Sequence, residues 1–133
     1  MKVYQTKAKK LPGSNYHEVY AAARNYYNEI KKKTKRRPYI RSAYWKKEKV
    51  FFDYFWPHVA QKPPRERMRR LHYFLAAIEL LQKSHCIPTT KPHASDHTAV
   101  VHRFEGKTRG GEVFYVQVKE DKKGTKYFMS CFP

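Results

Sequence analysis

Apolar residues recur at helical spacing through the first part of the chain and switch to alternation near its end. Tyr16, Val19, Tyr20, Ala23, Tyr26, Tyr27 and Ile30 stand three or four apart, which predicts a helix over about residues 16–33. Asn15 and Glu18 make a capping-box pattern at its start. Lys31, Lys32 and Lys33 fall in its last turn, where cations suit the helix dipole. Pro38 restricts the residue before it and ends the segment. A second helix is expected over about 43–60, with Ser42 as N-cap. Its run Val50-Phe51-Phe52-Asp53-Tyr54-Phe55-Trp56 is apolar nearly all round, and Pro57 should kink or end it. A third is expected over 64–83, with Pro64 at its first position and Met68, Leu71, Leu75 and Ile78 as its stripe.

Residues 84–98 read as a polar connector containing Pro and His. Beyond it, 99–104, 112–120 and 125–132 alternate as strands, with glycine turns at Gly106–Gly111 and at Asp121-Lys122-Lys123-Gly124. A left-handed Gly124 gives a three-residue loop that sets Asp121 opposite Thr125. Glu120 then pairs with Lys126, Lys119 with Tyr127, Val118 with Phe128, Gln117 with Met129 and Val116 with Ser130. In that register Phe114, Val116, Val118, Phe128, Ser130 and Phe132 share the face turned to the helices. Tyr115, Gln117, Lys119, Tyr127, Met129 and Cys131 share the other. The elements together predict an α+β fold: three N-terminal helices packed on one face of a small antiparallel C-terminal β-sheet. They form a single domain with a basic arm over 1–13, a short strand expected within it at 2–6, a helical part over 14–84, the connector, and the sheet over 99–133.

Composition narrows the partners. The chain has 133 residues, of which 29 are Lys or Arg and 11 are Asp or Glu, for a formal charge of +18. Hydrophobic residues at 41% and aromatics at 16% argue for a packed core rather than disorder. Such a charge points to a polyanion, nucleic acid before anionic membrane. Twenty-one of the basic residues but only six acidic ones lie in residues 1–90, so the basic surface belongs mainly to the first two-thirds. Two cysteines, Cys86 and Cys131, fit a reducing compartment. Without an apolar leader or a membrane-length run, the sequence reads as a cytoplasmic protein that needs no membrane.

Arg65, Arg67, Arg69 and Arg70 open the third expected helix, where cations oppose the dipole; they are either phosphate contacts or a solvated charge run. Lys32, Lys33, Lys35, Arg36 and Arg37 form a second basic cluster, either a phosphate grip or a basic helix end. Arg103, Lys107 and Arg109 add cations to the sheet. The helix-1 tyrosines read as core before base-stacking groups. His85, Cys86, His93 and His97 match no standard zinc spacing, so no metal and no cofactor are expected.

One resemblance carries a reaction. His102-Arg103-Phe104-Glu105-Gly106, then 112–119, then Lys126-Tyr127-Phe128-Met129-Ser130-Cys131-Phe132-Pro133, resembles the closing hairpin of phage- and mobile-element nucleases of the barnase–EndoU–colicin–RelE superfamily. The resemblance covers about a quarter of the chain. It implies a toxin-like, metal-independent ribonuclease with general acid–base chemistry on the 2′-hydroxyl and phosphate. His102 matches the family's histidine, and Lys119, Tyr127 and Ser130 lie where such families place polar active residues. No acid occupies an obvious central-strand position, and Ser130 falls on the face expected to be buried. Two other readings stand beside it: a non-catalytic module that binds RNA, with DNA not excluded, and a mobile-element protein whose basic surface meets an acidic, antitoxin-like partner.

Overall fold

The structure, a computed structural model, describes residues 3–133. Its first long element is the expected helix, α1 (Tyr16–Lys33). The Asn15 side chain accepts the Glu18 N–H at 3.0 Å while its amide donates to the Glu18 carboxylate at 2.7 Å. Val19, Ala23 and Tyr27 form the buried stripe of this helix.

The second expected helix is helical only at its end, its first part being the turn and second strand of a β-hairpin. β2 (Tyr39–Arg41) pairs antiparallel with β3 (Lys49–Phe51), and only α2 (Phe55–Ala60) is helical. The turn between the strands has no glycine. Lys46 and Lys47 take positive φ, 54° and 73°, and the buried Ser42 hydroxyl accepts the Trp45 N–H at 3.2 Å. A short apolar run such as Val50-Phe51-Phe52 reads equally as buried helix or strand, and tertiary pairing decides it. Pro57 is no obstacle, because it sits in the first turn of α2, where no N–H is needed.

The third expected helix is two, α3 (Pro64–Leu71) and α4 (Phe74–Lys83), broken at His72 and Tyr73. At the break His72 takes the N-terminal arm. Its backbone carbonyl accepts the Leu11 N–H at 2.7 Å, and its ring Nδ1–H donates to the Leu11 carbonyl at 2.6 Å. Part of the arm is strand β1 (Tyr4–Gln5); Lys2, where a strand was expected to begin, lies outside the described residues. The connector is not irregular throughout either, since β4 (Thr89–Pro92) pairs with the following strand.

That strand is β5 (Val100–Lys107), followed by β6 (Val113–Glu120) and β7 (Lys126–Phe132). The sheet is therefore seven-stranded and mixed, not small, C-terminal and antiparallel. Its order is β1-β5-β6-β7-β3-β2, with β4 also on β5, and the β1–β5 and β3–β7 pairs are parallel. The helices cover one face. Phe104, Phe114, Val116, Val118, Phe128 and Cys131 point into it, and Phe55 stacks on Phe128 at 4.5 Å. Burying a ring of that size contributes roughly 1.5–3 kcal/mol.

The closing hairpin begins in the expected register. Gly124 has φ 85°, and Asp121 N–H donates to the Thr125 carbonyl at 3.0 Å. The pairs Glu120–Lys126, Lys119–Tyr127 and Val118–Phe128 follow. A β-bulge at Met129 then shifts the register, so that Gln117 pairs with Ser130 and Val116 with Cys131. The extra residue reverses the parity expected for the end of β7: Cys131 turns to the core, while Ser130 and Phe132 join the Gln117 and Tyr115 side.

Candidate nucleic-acid interface

The sheet face away from the helices is built from cross-strand neighbours. Register places Arg103 beside Gln117, Gln117 beside Ser130, Lys119 beside Tyr127, and Phe51 beside Tyr127. Cations and rings alternate across it. The Arg37 guanidinium lies 4.1 Å from the Phe51 ring and 5.5 Å from Tyr127. Tyr127 meets Tyr54 at 4.7 Å, and the Lys119 ammonium lies 5.1 Å from Tyr54. At the other end Arg103 lies 5.8 Å from Tyr115 and 5.4 Å from Phe132, which Arg70 also approaches at 5.4 Å. Tyr54 is 42% exposed, so this face is open to a ligand at that point. The segment 93–98 lies along part of it, tied by an Asp96–Lys119 ion pair at 3.7 Å. Hydrogen bonds from Thr98, and then the Lys119 charge, hold the Asp96 carboxyl below its ordinary range.

At the β2 edge this face continues into a basic groove. Lys33, Lys35, Arg36 and Arg37 line a cavity of about 410 Å³ with Tyr39, Lys49 and Phe51. An adjoining cavity of about 480 Å³ adds Arg41, Lys47 and Lys83. Among the described residues no carboxylate lines either one. Helix α1 positions the first cations by ending at Lys33, and the turn of positive-φ lysines places Lys47. Arg37 also holds Asp53, and that bond raises its already high pKa further. Lys32 sits on another side of α1, 3.4 Å from Glu29.

The arginines of α3 divide by role. Arg67 donates to the carbonyls of Lys62 at 2.6 Å and Ala60 at 2.9 Å, which caps the end of α2. Arg70 and Arg69 pair with Glu66 at 3.0 and 3.5 Å, so its carboxyl is held low by Arg70 above all. Arg65 is exposed. Because α3 has only eight residues, Arg69 and Arg70 occupy its last turn, where the dipole favours them. Lys107 and Arg109 lie at the β1 end; Arg109 lines a cleft with Gln5, Thr6 and Lys7, away from the groove.

The four residues singled out for catalysis do not converge. His102 faces the helices and is only 8% exposed. Its Nε2 meets Glu120 Oε1 at 2.8 Å, its Nδ1 meets the Thr90 hydroxyl at 2.7 Å, and Trp45 closes over the ring at 4.9 Å. Lys126 continues this inward cluster, 2.6 Å from Glu48 and 4.0 Å from Glu120. The sheet itself stands between His102 and the Lys119–Tyr127 pair. Ser130 is 1% exposed and donates to Gln117 Oε1 at 3.2 Å.

Sequence reasoning missed Tyr39, Arg41, Lys47 and Lys49 as groove residues and Tyr54 on the adjoining face, because they fell in or beside a segment expected to be one helix. The run Val50-Phe51-Phe52 held no signal that decides between strand and helix. Comparisons with protein-family models, curated proteins and solved structures find no match to this chain. Among the described residues no helix is long and apolar enough to cross a membrane, and no three His, Cys, Asp or Glu side chains cluster as metal ligands.

Proposed function

We propose that this protein binds single-stranded nucleic acid, RNA first, across the outer sheet face and the basic groove at the β2 edge. The observation that carries this reading is the continuity of a groove lined by cations, of which Arg37 is paired with Asp53, with a face of alternating rings and cations. Cations track phosphates, and exposed rings stack on unpaired bases, which is the pairing of features a single strand needs. A duplex would offer its phosphates to the groove but no free base to Tyr54 and Tyr127.

The test is fluorescence anisotropy with a labelled single-stranded RNA across a salt series. Replacing Lys33, Lys35 and Arg36 with Ala should weaken binding and lower the slope of log affinity against log salt by about 2, from about 0.7 per phosphate contact. An unchanged slope would overturn the reading.

A ribonuclease remains the second reading, favoured by one observation: His102 bridges a hydroxyl, on exposed Thr90, and a carboxylate, on Glu120. An imidazole so placed can pass a proton between them. Following the length of the same RNA in EDTA separates the two readings, because binding alone leaves it intact.

A further inference from the structure

The outer face ends in a cavity of about 450 Å³ between β4, the start of segment 93–98 and the sheet. Its walls are apolar or flat: Pro92, Ala94, Val101, Tyr115 and Met129. Beside the hydroxyls of Thr89 and Tyr115, which donate or accept, its polar side chains present donors. Lys91 and Arg103 are exposed, and neither has a carboxylate within 4 Å among the described residues.

Two more donors follow from the hydrogen-bond pattern. His93 Nδ1 accepts the backbone N–H groups of Ser95 at 3.1 Å and Asp96 at 3.0 Å. An Nδ1 that accepts twice carries no proton, so the neutral ring bears its proton on Nε2. Gln117 is polarised in the same sense. Its Oε1 accepts from the buried Ser130 hydroxyl, which sets the amide and leaves its two N–H donors for the cavity. The β-bulge at Met129 creates this arrangement, because without it Ser130 would not face Gln117.

We infer that this cavity holds one base of the bound strand, and that it favours uracil, with two ring carbonyls and no exocyclic amino group, over adenine. The inference rests on the nucleic-acid reading above. A flat ring fits between the apolar walls, and a wall of donors is answered by carbonyl acceptors. Adenine would set its exocyclic amino group against donors. Lys91 and Arg103 then meet the flanking phosphates.

The experiment compares affinities for an oligouridylate and an oligoadenylate of equal length, with free uridine and adenosine monophosphates as separate arms. The wild-type protein should bind the oligouridylate about tenfold more tightly than the oligoadenylate. Arg103→Ala should weaken the oligouridylate several-fold, and Ser130→Ala, which frees Gln117 Oε1 to accept, should narrow the preference. Side-chain amide resonances of Gln117 should shift on adding the uridine strand. Free uridine monophosphate should bind far more weakly than the oligomer; binding as tight as the oligomer would overturn the assignment of the cavity to a polymer base. Equal affinity for the two oligomers, with no change at Gln117, would refute this inference alone if the Lys33, Lys35 and Arg36 variant still lost affinity. Loss of effect in that groove variant would instead refute the nucleic-acid reading.

Discussion

Arg37 grips Asp53 through two nitrogens, with Nε at 2.9 Å from Oδ1 and the terminal nitrogen at 2.8 Å from Oδ2. This fork holds the guanidinium over Phe51, 4.1 Å from the ring, while neutralising its charge at the mouth of the basic groove. Both side chains are about two-fifths exposed, so the pair adds little stability, roughly 1 kcal/mol or less. Its effect on binding should be larger. Asp53→Asn removes a repelling charge and should raise RNA affinity, whereas Arg37→Ala should lower it and reduce the salt slope by about 0.7. Anisotropy titrations at two salt concentrations measure both.

Arg67 has a structural task, so the arginines of α3 will not behave alike. Arg67→Ala uncaps the carbonyls of Ala60 and Lys62 and should cost about 1.5–3 kcal/mol in urea unfolding. Arg65→Ala should leave the unfolding midpoint unchanged within error, since that side chain is exposed.

The two thiols should differ sharply in reactivity. Burial pushes the Cys131 thiol up to about 12, and its hydrogen is directed to the Arg70 carbonyl at 3.4 Å. Cys86 is only partly buried. Alkylation at pH 8 should therefore modify Cys86 in the folded protein and Cys131 only after denaturation, as mass spectrometry of the digested product would show.

Tyr4 ties stability to alkaline pH. Burial, and then its hydrogen bond to Glu79, push its hydroxyl from 10.0 up to about 12. The fold therefore keeps a proton that the unfolded chain releases. This contribution is complete below pH 10 and is lost as pH rises toward 12. Tyr4→Phe should flatten the fall in stability over that window, measured by urea midpoints at pH 9, 10 and 11.

His102→Ala should destabilise the protein and spare nucleic-acid binding. It removes both hydrogen-bonded ring nitrogens and opens space beneath Trp45, a change worth about 1–3 kcal/mol. Affinity for RNA should stay within about twofold, because the residue faces the helices. Loss of RNA cleavage in this variant would establish the Thr90–His102–Glu120 relay as working chemistry.

Local signals were readable where local forces decide the outcome. The α1 cap at Asn15, its buried stripe, the Asp121–Thr125 loop and the first half of the β6–β7 register all follow from nearby residues. The β2–β3 hairpin did not, because two lysines supply the left-handed turn that glycine usually marks. Nor did the break at His72, which answers to Leu11 about sixty positions away. The bulge at Met129 adds one residue with no change in composition, and that single step moved Ser130 and Phe132 to the other side of the sheet. His102 stands two residues from Phe104 and so shares its side of the strand; only the pairing shows that both face the helices.

The pairing of β3 with β7 also orders events during synthesis. Glu48 and Lys126, joined at 2.6 Å, are 78 positions apart in the chain. Until the ribosome has delivered β7, the early hairpin lacks its neighbour and exposes an unpaired edge with Val50 and Phe52 uncovered. Closure of the sheet therefore waits on late-emerging residues, and the nascent chain is most prone to aggregate just before they arrive.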